Sequence, residues 1–165
     1  MQEHKFCPIC GGGLERNSID GRDRLTCKKC DWVDYRNPIP VIACLVSDQK
    51  GEILLIKRGV EPARGEWALS GGFIEWDETV QEAGCRELRE ETGLEGRAGR
   101  LIGVHMQDSR MYGSVLVVGM EFIVKNENIA VGDDAVDAKF ISPEKLPDIP
   151  FISHRKLIEE YLAKK

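Results

Sequence analysis

A pair of glycines followed by a helix that becomes acidic constrains this chain more than any other feature. Gly71 and Gly72 precede residues 78–92, which predict a helix that Gly93 ends in the left-handed conformation. One broad face of this helix begins apolar and ends acidic, with members three, four and seven residues apart: Val80, Ala83, Gly84, Glu87, Glu90 and Glu91. Each carboxylate near the negative end of a helix dipole is disfavoured by about 0.3–1 kcal/mol before mutual repulsion is added. A cation must therefore compensate this face.

The ligand chemistry of the acidic face indicates which cation binds. Mg²⁺ and Mn²⁺ prefer hard oxygen ligands, and phosphate oxygens commonly complete their coordination. Glycines let the preceding backbone turn sharply, so that it presents a carbonyl to a metal or approaches a phosphate. The alternative is a solvated charged face whose carboxylates pair with Arg86 and Arg89. The glycine pair favours the metal site.

The same segment resembles the Nudix box at every fixed position. It contains Gly72, five residues, Glu78, seven residues, Arg86-Glu87-Leu88, one residue, Glu90-Glu91, one residue and Gly93-Leu94. The resemblance implies an α/β (α+β) fold, an α/β/α sandwich around a mixed sheet, and cleavage of nucleoside diphosphates linked to another moiety. It also implies roles for individual residues: metal ligands at Glu87, Glu90, Glu91 and the Gly71 carbonyl, and a structural ion pair between Glu78 and Arg86.

Four cysteines near the N-terminus form a second pattern. Cys7 and Cys10 make one Cys-x-x-Cys pair, and Cys27 and Cys30 make another sixteen residues later, with the turn dipeptide Asp20-Gly21 between them. Such pairs converge tetrahedrally on Zn²⁺, which staples a segment too small to hold its own core. Disulfide pairing is the weaker alternative.

The chain therefore divides near Asn37, where Pro38 and Pro40 predict an extended connector. We expect a zinc ribbon over residues 1–37 and the Nudix-type hydrolase domain over residues 38–165. A Cys₄ ribbon ahead of the box resembles the NADH pyrophosphatase-like branch of the family. The resemblance implies a dinucleotide-like substrate such as NADH, FAD or ADP-ribose. The downstream Ser-Gln-Pro-Trp-Pro-Phe-Pro motif of that branch is absent.

Further candidates lie outside the acidic helix. Arg58 and Arg64 are cations suited to substrate phosphates, and the aromatic rings of Phe73 and Trp76 are candidates for stacking on a base. Asp134 lies in a stretch that resembles the family's acidic loop and is a candidate catalytic base. An equally open interpretation is a turn-forming aspartate after Gly132.

Composition limits the partners of the chain. Its 165 residues suffice for one sizeable core, and 23 Lys and Arg against 28 Asp and Glu give a net charge of −5, which repels polyanions. We expect a small-molecule nucleotide as partner, no general nucleic-acid binding, no membrane span and a cytoplasmic location, and we leave a homodimer open. The rival function is a nucleotide-sensing or nucleic-acid- or protein-binding regulator without turnover. The complete set of carboxylates favours an enzyme.

The remaining pattern predicts a strand hairpin over residues 41–46 and 52–56, and strands over 100–106, 114–124 and 138–141. It also predicts a final helix over 153–162 with Ser153 as its N-cap. Gly84 inside the acidic helix should cost about 1 kcal/mol relative to alanine, which close packing against a sheet would explain.

Overall fold

The computed structural model describes residues 3–132 and 134–164. At the N-terminal end, β1 (Leu14–Ile19) and β2 (Arg22–Cys27) form an antiparallel hairpin. Asp20 and Gly21 join them with φ values of 52° and 73°. Two consecutive positive φ values suit the right-handed twist of a hairpin, so the predicted turn is confirmed.

The rest of the chain alternates strands with two helices. The elements in order are β3 (Ile39–Leu45), β4 (Ile53–Arg58), β5 (Trp67–Ala68), α1 (Val80–Thr92), β6 (Gly96–Ser109), β7 (Gly113–Val124), β8 (Ala135–Ile141), a 3₁₀ turn (Pro143–Lys145) and α2 (Ile152–Leu162). The strands form a mixed sheet β3-β7-β6, with β3 parallel to β7, and an antiparallel sheet β5-β4-β8. No helix in the described part of the chain is long and apolar enough to cross a membrane.

The predicted hairpin of the first two strands of this domain forms only next to its turn. After a tight turn the chain makes one bridge between Ser47 and Ile53, and the Leu54 N–H donates to the Val46 carbonyl at 3.0 Å. The strands then diverge, because β3 pairs with β7 and β4 pairs with β5 and β8. Both strands are largely buried, and each has a partner from much later in the chain, β7 for β3 and β8 for β4.

The core has two layers that share β3. Ile42 and Cys44 of β3 pack in a cluster with Leu88 of α1, whereas Ala43 and Leu45 pack in a cluster with residues of α2. Strand side chains alternate between faces, so a strand buried on both sides separates the two helices. The α/β/α arrangement is therefore confirmed.

Helix α1 begins two residues later than predicted. Thr79 is its N-cap: the Thr79 hydroxyl accepts from the Glu82 N–H at 3.2 Å, and the Glu82 carboxylate accepts from the Thr79 N–H at 2.8 Å. Gly93 ends the helix at φ 69°, as expected. A Cβ on Gly84 would lie 2.1 Å from Cζ of Phe122, so the predicted close packing of this glycine is confirmed.

Helix α2 is held at both ends by side-chain hydrogen bonds. The prediction of Ser153 as its N-cap is wrong, because the helix begins at Ile152 with Phe151 at the cap position. The Ser153 hydroxyl instead donates to Gln107 Oε1 of β6 at 2.6 Å. Near the other end, the hydroxyls of Tyr161 and Ser47 lie 2.7 Å apart.

Candidate active site and zinc centre

The two glycines lie in a loop (residues 70–72, the glycine loop) that runs against β3. The N–H groups of Cys44 and Ile42 donate to the carbonyls of Ser70 and Gly72 at 2.7 and 2.9 Å. Between these contacts Gly71 adopts φ 147°, and a Cβ there would lie 2.0 Å from the Ile42 carbonyl oxygen. Only glycine allows this approach to the strand.

The acidic face of α1 packs directly on the glycine loop. A Cβ on Gly72 would lie 2.3 Å from Glu87 Oε1, so this glycine makes room for a carboxylate. One turn later, Glu91 Oε2 accepts a hydrogen bond from the Gly71 N–H at 2.9 Å. Two of the three predicted metal-ligand carboxylates therefore border the loop that carries the predicted ligand carbonyl.

Glu91 is a buried carboxylate, with 2% of its surface exposed. Burial raises the pKa of Glu91 to about 7, and the negative charge of Glu87 acts in the same direction. Ser70, the Gly71 N–H and the charge of Arg58 oppose this rise in pKa. Such a site favours a further positive charge beside Glu91.

Arg86 connects the acidic side chains. Its Nη2 donates to Glu78 Oε1 at 2.7 Å and to the Phe73 carbonyl at 3.0 Å, and its Nε donates to Glu78 Oε2 at 3.1 Å. Its Nη1 donates to Glu87 Oε1 at 2.7 Å and Glu90 Oε2 at 3.1 Å. These hydrogen bonds, those to Glu78 above all, hold the pKa of Arg86 above its usual range. The structure thus brings together the predicted pair, Glu78 and Arg86.

The carboxylates provide the hard oxygen donors that a divalent cation prefers. They do not converge as the cysteines do: within residues 3–132 and 134–164, the only group of three or more candidate ligands whose donor atoms all lie within 4.8 Å is the cysteine quartet. Glu87 and Glu90 share the Arg86 guanidinium, and Glu91 turns to the loop. The donor set fits Mg²⁺ or Mn²⁺ in chemistry, with Arg86 partly neutralising it.

Arg58 lies near this acidic cluster, since its charge acts on Glu91. Its Nε donates to the Pro62 carbonyl at 2.8 Å, and its guanidinium carbon lies 5.5 Å from the centroid of the Phe151 ring. The Phe151 and His154 rings lie 5.0 Å apart. Sequence reasoning did not single out Phe151 or His154, because α2 reaches this site only through the tertiary fold.

The other predicted substrate residues have simpler surroundings. Arg64 is exposed on the loop before β5, and Trp76 is 94% exposed before α1. Phe73 makes an edge-to-face contact with Tyr112, with centroids 5.1 Å apart. Asp134 is exposed, and its carbonyl accepts from the Gly59 N–H, beside Arg58, at 2.6 Å.

The loop that carries Asp134 also packs against the end of α1. The N–H groups of Gly132 and Ala130 donate to the carbonyls of Glu91 and Thr92 at 3.2 and 2.9 Å. The backbone at Asp134 is therefore attached both to the acidic helix and to the end of β4.

The four N-terminal cysteines converge as predicted. The Cys7 and Cys30 sulfurs lie 3.6 Å apart, the Cys10 and Cys27 sulfurs 3.5 Å, and the Cys10 and Cys30 sulfurs 3.6 Å. Disulfide sulfurs are about 2.05 Å apart, whereas sulfurs about 2.3 Å from a tetrahedral Zn²⁺ are separated by about 3.8 Å. The quartet therefore fits zinc and excludes the disulfide alternative in this conformation.

Known proteins share both parts of this architecture. Residues 37–161 match the NUDIX domain and residues 5–36 match the Nudix N-terminal family. The chain belongs to the Nudix family, as a hydrolase with an N-terminal zinc ribbon.

An ADP-ribose pyrophosphatase of Methanocaldococcus jannaschii is 37% identical over 139 residues, which are 82% of this chain and 81% of that protein. The NAD-capped RNA hydrolase NudC of Stutzerimonas stutzeri is 29% identical over 171 residues, covering 100% of this chain. The chain spans 58% of the NudC length. A NUDIX hydrolase structure from Nitrosomonas europaea superposes with a TM-score of 0.78 at 25% identity, over 98% of this chain and 92% of that one.

Proposed function

We propose that this chain hydrolyses a phosphoanhydride bond in a nucleoside diphosphate linked to another moiety, with a dinucleotide-like substrate such as NADH, FAD or ADP-ribose. The observation that carries this proposal is the packing of the acidic face of α1 against the glycine loop, where Glu91 accepts from the Gly71 N–H. The similarity to an ADP-ribose pyrophosphatase supports the substrate class.

The catalytic cation is Mg²⁺ or Mn²⁺, held by Glu87, Glu90, Glu91 and the Gly71 carbonyl. When bound, such a cation neutralises charge on phosphoryl oxygens and activates water. Arg86 keeps Glu87 and Glu90 on the same side of α1 and is itself anchored by Glu78.

The substrate diphosphate lies between the acidic cluster and the cations that precede it. Arg58 is already oriented by Pro62 and Phe151, so little side-chain freedom is lost when it binds a phosphate. Arg64 is the second phosphate-binding candidate. Phe73 and Trp76 are accessible rings that stack on a nucleoside, and Phe73 is fixed by its contact with Tyr112.

Asp134 is the proposed base. Two backbone hydrogen bonds support this role: the Gly132 N–H donates to the Glu91 carbonyl at the end of α1, and the Gly59 N–H, next to Arg58, donates to the Asp134 carbonyl. A carboxylate in this position accepts a proton from water without contributing to the metal site.

The zinc ion is structural in this proposal, because four thiolates leave no open coordination position. It organises the ribbon over residues 1–37, and hydrolysis belongs to residues 38–165.

The experiment is a hydrolysis screen with Mg²⁺ or Mn²⁺ over NADH, FAD, ADP-ribose, dinucleoside polyphosphates, nucleoside triphosphates and NAD-capped RNA. We expect kcat/KM for a dinucleotide-like diphosphate to exceed that for every triphosphate by about tenfold or more, and chelation of the divalent ion to abolish turnover. A preferred triphosphate would contradict the substrate class, and preferred capped RNA would contradict the expectation of a small-molecule partner. Tight nucleotide binding without turnover would support the sensing alternative.

A further inference from the structure

A hydrogen bond joins helix α2 to the start of the glycine loop. The N–H of Leu69 donates to His154 Nδ1 at 3.2 Å, and Leu69 directly precedes the glycine loop. The two residues are 85 positions apart in sequence. Nδ1 can accept this bond only in the neutral tautomer whose proton is on Nε2. His154 therefore holds this backbone only as a neutral imidazole.

The ring of His154 also reaches the other side of the site. It packs on Phe151 at an interplanar angle of 50°, and Arg58 lies over the Phe151 ring. One imidazole thus adjoins the segment that carries the Gly71 carbonyl and, through one ring, the guanidinium of Arg58. These are the proposed metal-binding and phosphate-binding groups.

The surroundings keep this imidazole neutral and in place. Burial, together with the charge of Arg58, lowers the pKa of His154 to about 3. The neighbouring Ser153 is anchored to Gln107 through its N–H and its hydroxyl, so the first turn of α2 is fixed on β6. The backbone of His154 is therefore held in place beside the glycine loop.

We propose that His154 is a positioning residue of the hydrolytic site, which fixes the glycine loop through the Leu69 N–H and Arg58 through Phe151. The inference rests on the proposed function, because the Gly71 carbonyl and Arg58 have their roles only in that reaction. His154 acts through its neighbours and does not take part in the chemical step.

Two substitutions distinguish the hydrogen bond that Nδ1 of His154 accepts from the packing of the imidazole ring. In His154→Asn the amide oxygen can occupy the place of Nδ1, whereas in His154→Gln the amide lies near the place of Nε2 and leaves the Leu69 N–H without an acceptor. We expect H154Q to weaken the binding of Mn²⁺ alone, measured by electron paramagnetic resonance, by about tenfold and to lower kcat similarly. We expect H154N to stay within about threefold of the wild type in Mn²⁺ affinity. Equal losses in both variants, or none in H154Q, would overturn the role.

Tyr161→Phe is the matched control. It removes a hydrogen bond between α2 and Ser47 near the C-terminal end of the helix, whereas His154 lies in the first turn. We expect this variant to lose thermal stability but to keep the kcat and the Mn²⁺ affinity of the wild type. An equal loss of Mn²⁺ affinity in Y161F would show general loosening of α2 and overturn the proposal.

A measurement on the wild type requires no variant to fold. Long-range ¹H–¹⁵N spectra at neutral pH should show the Nδ1 of His154 without a proton, and a proton on Nδ1 would overturn the inference. Mn²⁺ binding also needs no turnover, which separates the two hypotheses. A wild type that binds no divalent ion contradicts the proposed function, whereas normal binding in both the wild type and H154Q contradicts only the role of His154.

Discussion

The Gly71 N–H donates to Glu91 Oε2 across 2.9 Å, which joins two parts of the chain twenty residues apart. The last acidic turn of α1 and the glycine loop therefore form one unit. Glu91 is buried in this unit, whereas the side chain of Glu90 on the same helix is 40% exposed. The two neighbouring carboxylates, Glu90 and Glu91, thus have different surroundings, so substitutions at the two positions should differ in their effects on stability.

Glu90→Gln and Glu91→Gln should each lower kcat by about 100-fold or more, because each removes one proposed metal ligand at nearly constant size. The thermal stability of E91Q should stay the same or rise, because the substitution removes the charge of a buried carboxylate whose pKa burial raises. Glu95→Gln, which removes an exposed charge just beyond the helix, is the control and should retain wild-type kcat. Full activity in both E90Q and E91Q would rule out the proposed ligands.

Arg86→Lys should lower both stability and activity. Lysine cannot reproduce the planar donors that contact Glu78, Glu87, Glu90 and Phe73, so we expect a loss of about 1–3 kcal/mol in the free energy of unfolding. Chemical denaturation measures this loss. Arg89→Lys on the exposed side of the same helix should change little, and an R86K protein as stable as the wild type would show that the network contributes nothing.

The ribbon should contain one zinc ion per chain, detectable by elemental analysis. Cys27→Ser should abolish zinc binding and unfold the ribbon, because a structural site needs all four thiolates. Cys85→Ser leaves the quartet intact and should retain zinc. A zinc-free wild type with a folded ribbon would contradict this expectation.

Gly84→Ala should destabilise the protein, although alanine gains about 1 kcal/mol of helix propensity over glycine. The added Cβ meets three ring atoms of Phe122 within 3.0 Å, and this ring is buried. We expect a net loss of about 1–3 kcal/mol. Calorimetry should show that Phe122→Leu in the G84A background is less harmful than in the wild type. Stabilisation by G84A alone would contradict this prediction, because it would mean that α1 shifts away from Phe122 of β7 at no cost in stability.

Acid should destabilise the wild type more than His154→Asn. The folded-state pKa of His154, about 3, lies below the ordinary value of 6.5, so the unfolded chain binds more protons between these values. Stability from the neutral imidazole is therefore complete above pH 6.5 and is lost as the pH falls toward 3. The wild type should lose up to about 2 kcal/mol relative to H154N between pH 6.5 and 5. The difference between the two proteins cancels the opposite contribution of Glu91, and parallel pH profiles would contradict the prediction.

Local sequence patterns predicted the parts of the site that depend on local geometry. The end of α1 at Gly93, the contact of Glu78 with Arg86 and the convergence of the cysteines follow from spacing and from the family resemblance. The packing reason for Gly84 was also predictable, since an internal glycine in a helix needs a close neighbour.

Long-range partners were not predictable from the same patterns. An apolar strand such as β3 does not specify which strand it pairs with, and adjacency in sequence wrongly favoured β4. The contact of Leu69 with His154 spans 85 residues and involves a backbone donor, so no side-chain motif marks it. Serine is a preferred N-cap residue, which favours Ser153 as the helix cap, and no local pattern marks its actual partner Gln107, 46 residues away.

The parallel pairing of β3 with β7 has a consequence for folding. Ile39 pairs with Val115 and Ile53 pairs with Ile141, so each sheet needs a strand from a much later part of the chain. Contacts of this sequence separation slow folding, because a large loop must close before they form. On the ribosome, α1 emerges with its own caps but without β7 and β8 beside it. Its packing against β3 can form at this stage, whereas the contact of Gly84 with Phe122 requires β7, which lies in the last third of the polypeptide.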